Sequence, residues 1–184
     1  MTKGKSKDVK LTMPVSKSND HIQGSADSPV ILVEYGDFEC PYTRQAFPIV
    51  KEIRARLGDT ICFVFRNFPL NEIHPHAEHA AEAAEAAAAQ NKFWQMHDHL
   101  FEHQEALDDH HLTVYALRIG LDTDRFKREM SEHIYAPALM ESLKDGIKSG
   151  VEGTPTFFLN GVRYEGSWDS ATLLKRIKSS IKHR

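Results

Sequence analysis

Between residues 30 and 68 two apolar, β-branched runs flank a helical pattern, and this unit constrains the fold more than any other feature of the chain. Val30-Ile-Leu-Val-Glu-Tyr35, bounded by Pro29 and Gly36, reads as a strand buried on both faces, as in a parallel sheet. Cys40-Pro41 follows. Ala46, Phe47, Val50, Ile53 and Leu57 then recur at helical spacing up to Gly58-Asp59, which closes the helix. Pro48 inside this pattern predicts a kink rather than a break. Thr-Ile-Cys-Phe-Val-Phe-Arg-Asn-Phe (60–68) reads as a second strand. Strand, helix and strand within about forty residues make a βαβ unit, parallel and right-handed.

The remainder predicts helices and then a hairpin. The alanine-rich stretch HPHAEHAAEAAEAAAAQ (74–90) is a strong helix signal. Its Glu78, Glu82 and Glu85 recur every three or four residues, which predicts an acidic solvent face opposite a packed face of small residues. Further helices are expected over 92–105, 113–119 and 123–148, the last broken near Pro137. Thr-Phe-Phe-Leu-Asn (156–160), Gly161 and Val-Arg-Tyr (162–164) read as a hairpin with an Asn-Gly turn. Leu173, Leu174, Ile177 and Ile181 mark a closing helix. The order is therefore βαβ, helices, ββα, an α/β class with a mixed central sheet. Pro69 and Pro155 lie much further apart than one crossover helix requires, so a helical subdomain is inserted at about 74–148. Residues 1–19 are expected to be a flexible tail and residues 20–184 one domain.

Composition excludes several functions. A length of 184 residues fits one domain, and a net charge of −3 argues against nucleic-acid binding. Lys3, Lys5, Lys7, Lys10 and Lys17 read as a solvated tail. No run approaches the roughly 18 apolar residues of a membrane helix, so no membrane partner is expected. The N-terminal lysines precede no apolar run, so no secretory signal is read there and a cytoplasmic location is expected. With two cysteines, Cys40 and Cys62, this is not a disulfide-stapled scaffold.

Those cysteines leave chemistry or plain burial. A thiol reacts as its thiolate, and Cys40 falls where a buried strand meets a helix, whose unpaired N–H groups and dipole favour a negative charge. Pro41 suits the first helical position, and Tyr42 can shield the sulfur while leaving an approach to it. Thr154-Pro155 precedes the closing hairpin. A cis bond there would turn a backbone edge toward Cys40, to pair with a peptide or glutathione, whereas a trans bond would make an ordinary turn. Glu34 interrupts an apolar strand. It is either an exposed side chain or a buried acid with a raised pKa, able to exchange protons with the sulfur.

Val-Glu-Tyr-Gly-Asp-Phe-Glu-Cys-Pro-Tyr (33–42), Phe-Arg-Asn-Phe-Pro-Leu (65–70), Phe93-Trp94 after the alanine-rich helix, and Gly-Thr-Pro-Thr-Phe-Phe (153–158) together resemble the DsbA-like thioredoxin-fold family. The resemblance covers about residues 20–181. It implies a thioredoxin fold with Cys40 as nucleophile, Pro155 as cis-proline and Glu34 as buried acid. The chain departs from the family's Cys-x-x-Cys at Thr43. Thr43 cannot resolve a mixed disulfide, but its hydroxyl can donate a hydrogen bond to the Cys40 thiolate. Cys62, at the far end of its strand from the site, reads as core.

Monothiol thiol–disulfide exchange on glutathione-linked or protein disulfides is therefore the expected activity, with Cys40, Thr43 and Glu34 catalytic and Pro41, Tyr42, Thr154 and Pro155 against the substrate. Glutathione is a co-substrate rather than a bound cofactor. The alternatives are a redox-inactive peptide-binding module and a glutathione-using transferase or isomerase. Eleven histidines are present, among them His74, His76 and His79, then His99 and His103. No thiol is spaced to join them, so no metal site is expected and a solvated helical face is the default.

Overall fold

Five strands form one mixed sheet: β1 (His21–Gln23), β2 (Val30–Gly36), β3 (Ile61–Asn67), β4 (Thr156–Leu159) and β5 (Val162–Arg163), in the spatial order β1-β3-β2-β4-β5. The computed structural model describes residues 9–181. β2 and β3 are parallel, in register from Val30 opposite Ile61 to Gly36 opposite Asn67. α1 (Pro41–Leu57) and a 3-10 turn at Gly58–Thr60 connect them, and the helix runs through Pro48. β4 pairs antiparallel with the other side of β2, setting Tyr35 opposite Thr156. Asn160 and Gly161 both have positive φ, which the tight Asn-Gly hairpin turn requires. α7 (Ser170–Ile181) completes the thioredoxin fold.

Strand parity divides the core in two. Val30, Leu32, Phe63 and Phe65 pack with α1, α7 and most of the helical block, while Val33, Tyr35, Cys62, Val64 and Phe158 build a smaller cluster on the opposite face. The helical block comprises α2 (Ala77–Ala88), α3 (Phe93–Glu102), α4 (Asp109–Arg118), α5 (Thr123–Ser131) and α6 (Ala136–Lys148). The break expected near Pro137 within 123–148 is present: α5 and α6 are separated by a turn in which His133 takes a left-handed φ of 49°, and Pro137 lies in the first turn of α6.

α2 differs from the sequence expectation. Rather than showing an acidic face to water, it is covered by α3, α4, α5 and α6. Glu82 is fully buried and paired with His133, and Glu85 meets His21 and Asn67. Only neighbours of small volume let four helices approach one, and the alanines supply them.

The expected flexible tail is corrected over its described part. Arg163 N–H donates to the Val9 carbonyl (2.8 Å) and Leu11 N–H to the Gly161 carbonyl (2.9 Å), so this segment runs along β5. Residues 1–8, with Lys3, Lys5 and Lys7, lie outside the described residues. Further on, Asp20 anchors the segment to buried Arg66, whose Nε donates to its carboxylate at 2.7 Å. The same guanidinium reaches Asp145 (2.9 Å) and the Tyr35 hydroxyl (2.9 Å), and Tyr35 in turn bonds Asp145. β1, which lay in a stretch rich in turn formers, is therefore an edge strand held in place by what flanks it.

Removing one partner from a buried ion pair leaves the other charge uncompensated, at about 3–5 kcal/mol. Asp20→Ala is expected to cost about 3 kcal/mol, the low end because Asp145 remains on Arg66. Urea unfolding checks this, the midpoint falling with an unchanged slope.

Candidate active site

Cys40 is the N-cap residue of α1, with extended backbone (φ −72°, ψ 121°) and Pro41 as the first helical residue. A short loop, Asp37-Phe38-Glu39, brings it there from the end of β2. That loop is clamped at every residue. Asp37 is buried, and its carboxylate accepts from the N–H groups of Glu39 (2.8 Å) and Leu70 (2.9 Å) and meets His74 Nδ1 at 2.8 Å. Phe38 packs against Phe65 and Phe101. The Glu39 carboxylate accepts from His76 N–H at 2.6 Å. From the end of α3, the Gln104 amide donates to the Phe38 and Cys40 carbonyls at 2.7 and 2.9 Å.

Cys40 is only 4 % exposed. Its thiol donates to the Thr154 carbonyl at 3.2 Å, and the Thr154–Pro155 peptide bond is cis. Residues 114 positions apart thus meet because β4 pairs with β2 beside the loop. Thr154 Oγ1 is buried with no partner among the described residues. Pro41 and Tyr42 stand at the rim, Tyr42 60 % exposed.

Thr43 points inward and is fully buried. Its oxygen lies 3.5 Å from the Asp37 N–H, the long limit of a hydrogen bond, and among the described residues it makes no bond to the Cys40 sulfur. Its methyl group helps close the space over Gly36, where a Cβ would come within 3.0 Å of Thr43 Cγ2 and 2.4 Å of the Phe65 ring. Only glycine fits there.

Glu34 lies on the same face of β2 as Gly36, about 7 Å further along the strand. It is buried, not exposed, and Oε1 has no partner among the described residues. Burial pushes its pKa up to about 8. It lines a small cavity with Lys51, Arg54, His97 and Asp98, of about 30 Å³, room for one water. Burial likewise holds the His97 imidazole below its usual range.

Cys62 is opposite Ile31, five residues back from Gly36, and on the sheet face away from α1. That is about 16 Å along the strand, beyond the roughly 7 Å a disulfide spans. Burial raises its thiol pKa. Both cysteines are free.

Asp37 and Gln104 were not singled out from sequence. Asp37 stands within the motif at 33–42, where a buried acid beside a turn looks like any loop aspartate. Gln104 carried no signal, since its contact joins segments 64 residues apart.

A family model described as "Thioredoxin" matches residues 16–179. Among curated proteins, the Na(+)/H(+) antiporter NhaA 1 of Salinispora arenicola is 44 % identical over 173 residues, which cover 94 % of this chain and 26 % of the antiporter. The antiporter of the same name from Mycolicibacterium vanbaalenii is 40 % identical, over 93 % of this chain and 28 % of its own length. The chain therefore spans about a quarter of these relatives. Among solved structures, a thioredoxin-like oxidoreductase from Silicibacter pomeroyi superposes with a TM-score of 0.78 at 25 % identity, covering 90 % of this chain and 94 % of that one. BdbD from Bacillus subtilis gives 0.81 at 23 %, covering 96 % and 100 %.

The raised pKa of Glu34 has a stability consequence with a definite sign. Between its unfolded value near 4.5 and its folded value near 8, the folded chain holds a proton the unfolded chain has released. Stability from this group is present below about 4.5 and lost as pH rises, by up to about 1.4 kcal/mol per pH unit. Glu34→Gln is expected to match the unsubstituted protein at pH 4.5 and to exceed it increasingly toward pH 8. Denaturant midpoints across that range check it, and a constant difference would exclude the linkage.

Proposed function

The chain belongs to the thioredoxin family, and from that premise we propose that it is a thiol–disulfide oxidoreductase of the DsbA-like type that works through the single sulfur of Cys40. One observation carries the reading: the thiol faces the Thr154 carbonyl at 3.2 Å, beside the cis Thr154–Pro155 bond, while position 43 offers a buried hydroxyl and no second sulfur.

In the cycle we propose, the Cys40 thiolate attacks the disulfide of a glutathionylated protein. A bond forms between Cys40 and the glutathione sulfur, and the protein thiolate leaves and takes up a proton. A second glutathione thiolate then attacks the Cys40–glutathione disulfide, releasing oxidised glutathione and restoring the Cys40 thiolate. In net terms one protein–glutathione disulfide and one free glutathione give one protein thiol and one oxidised glutathione. No second enzyme sulfur is required, which agrees with Cys62 lying on the other face of the sheet.

Several groups support this cycle. The helix N-terminus stabilises the anion. The Thr154 backbone edge is available to pair with an extended substrate once the thiol proton is gone, because the carbonyl then loses its donor. Glu34, whose pKa burial raises to about 8, serves as a proton store, with the small cavity as its route to solvent. A glutathione-driven cycle requires a reducing compartment, so the proposed location is the cytoplasm.

Incubation of Cys62→Ala protein with oxidised glutathione is expected to give one glutathionyl adduct, on Cys40, which reduced glutathione removes with turnover on a glutathionylated peptide. Cys40→Ser is expected to lose that turnover by at least about 1,000-fold, as for loss of a nucleophile acting with its site as a unit. No adduct would mean that the groove binds peptides without exchange. Turnover retained in Cys40→Ser would assign the chemistry to non-covalently bound glutathione.

Thr43→Cys places a second thiol one helical turn from the first, within disulfide reach. It is expected to form an internal disulfide and to oxidise a dithiol peptide stoichiometrically, which the unsubstituted protein does not. Thiol counting after oxidation reads the difference.

A further inference from the structure

The fully buried Glu82 of α2 has one carboxylate oxygen, Oε2, without a partner among the described residues. Its other oxygen is 2.9 Å from His133 Nδ1. His79, one turn earlier on the same helix, completes a group whose ligand atoms all lie within 4.8 Å of one another. The Asp109 carboxylate, at the start of α4, takes His79 Nδ1 at 2.7 Å. A cavity of about 220 Å³ opens beside the group, lined by His79, Asp109, Phe126, Met130 and His133.

We infer that His79, Glu82 and His133 form a binding site for a divalent transition-metal ion of the zinc class, clipping α2 to the turn between α5 and α6. Four observations support the assignment. A buried carboxylate oxygen with no hydrogen bond leaves a desolvation cost uncompensated, and an unseen water or ion is its usual explanation. Two imidazoles and a carboxylate are the donor set such ions take, with one position left for water. Ligands at about 2.0–2.2 Å in tetrahedral array sit about 3.4 Å apart, so a small contraction of the group suffices. Asp109 supplies the carboxylate that typically orients a ligating histidine through its other ring nitrogen.

Access is open. The His79 and His133 side chains are 40 % and 55 % exposed, while Glu82 is closed off beneath them. Calcium or magnesium would prefer more oxygen donors than this group offers. The site shares no residue with the Cys40 loop, so it stands or falls separately from the proposed exchange chemistry.

The test uses the full chain with Cys40→Ala, which removes the competing thiol, stripped of metal and titrated with zinc(II) against a chromophoric chelator. One zinc per chain is expected. His133→Ala and Glu82→Gln should each weaken it at least about 100-fold, and Asp109→Asn about 10–100-fold, the range for loss of an orienting partner. Cobalt(II) should give the intense visible bands of a four-coordinate site, lost in His133→Ala. His103→Ala, in a separate histidine cluster, should leave both readings unchanged. Absence of stoichiometric zinc binding, or a His133→Ala protein that binds zinc as tightly as its parent, would overturn the assignment. Should Glu82→Gln fail to fold, His133→Ala decides it, since that ring is more than half exposed.

Discussion

The buried carboxylate of Asp37 is the interaction on which the position of Cys40 depends. It ties the loop after β2 to the segment after β3 by accepting from Leu70 and meeting His74, while bonding its own loop through Glu39. A carboxylate removed from water is tolerable only when such donors surround it. The same donors that satisfy it therefore leave the loop little freedom. Gln104 locks the other side through two carbonyls, one of them Cys40's own. The helical block and the segment leading into it are thus more than a cover for the sheet: they supply His74, His76 and Gln104, which hold the sulfur opposite Thr154.

Strand parity decides what each buried polar group in the sheet can reach. Along β2, Glu34 faces α1 while Tyr35 faces the opposite cluster, where it joins Arg66 and Asp145. In that network each charge has a partner, and it anchors the N-terminal segment through Asp20. Glu34 has no such partner at Oε1 among the described residues, and burial raises its pKa. One buried site is fully paired, and the other carries an acid whose pKa burial raises. A one-residue shift in the pairing of β2 would exchange these environments.

What the sequence made legible follows the range of the interactions. The βαβ unit and the Asn-Gly hairpin were readable because periodicity and turn chemistry are local, and the resemblance through residues 33–42 and 153–158 identified the fold. Cys62 as core was readable because parallel strands point their ends the same way. The packing of α2 was not: Glu78, Glu82 and Glu85 trace an acidic stripe on paper, yet segments distant in sequence engage two of the three. Glu82 meets a histidine 51 residues away and Glu85 one 64 residues away. The three-residue β1 escaped detection because its backbone partner, β3, and its anchor, Arg66, both lie more than one element downstream.

Thr43 shows how position 43 can lack a second sulfur without disturbing the fold. Its side chain is buried against Gly36 and Phe65, a place with room for a small group and none for solvent. A hydroxyl and methyl fill that space much as a thiol would, so the packing around the loop gives no reason for α1 to shift. What is lost is a second sulfur one turn from Cys40, and Cys62 cannot stand in for it from the other face of the sheet. In the proposed cycle, any disulfide formed at Cys40 is resolved from outside the protein. The protein's share reduces to holding one sulfur at the head of a helix and presenting the Thr154 backbone beside it. On the proposed function, that division of labour makes an abundant small thiol the natural second reactant.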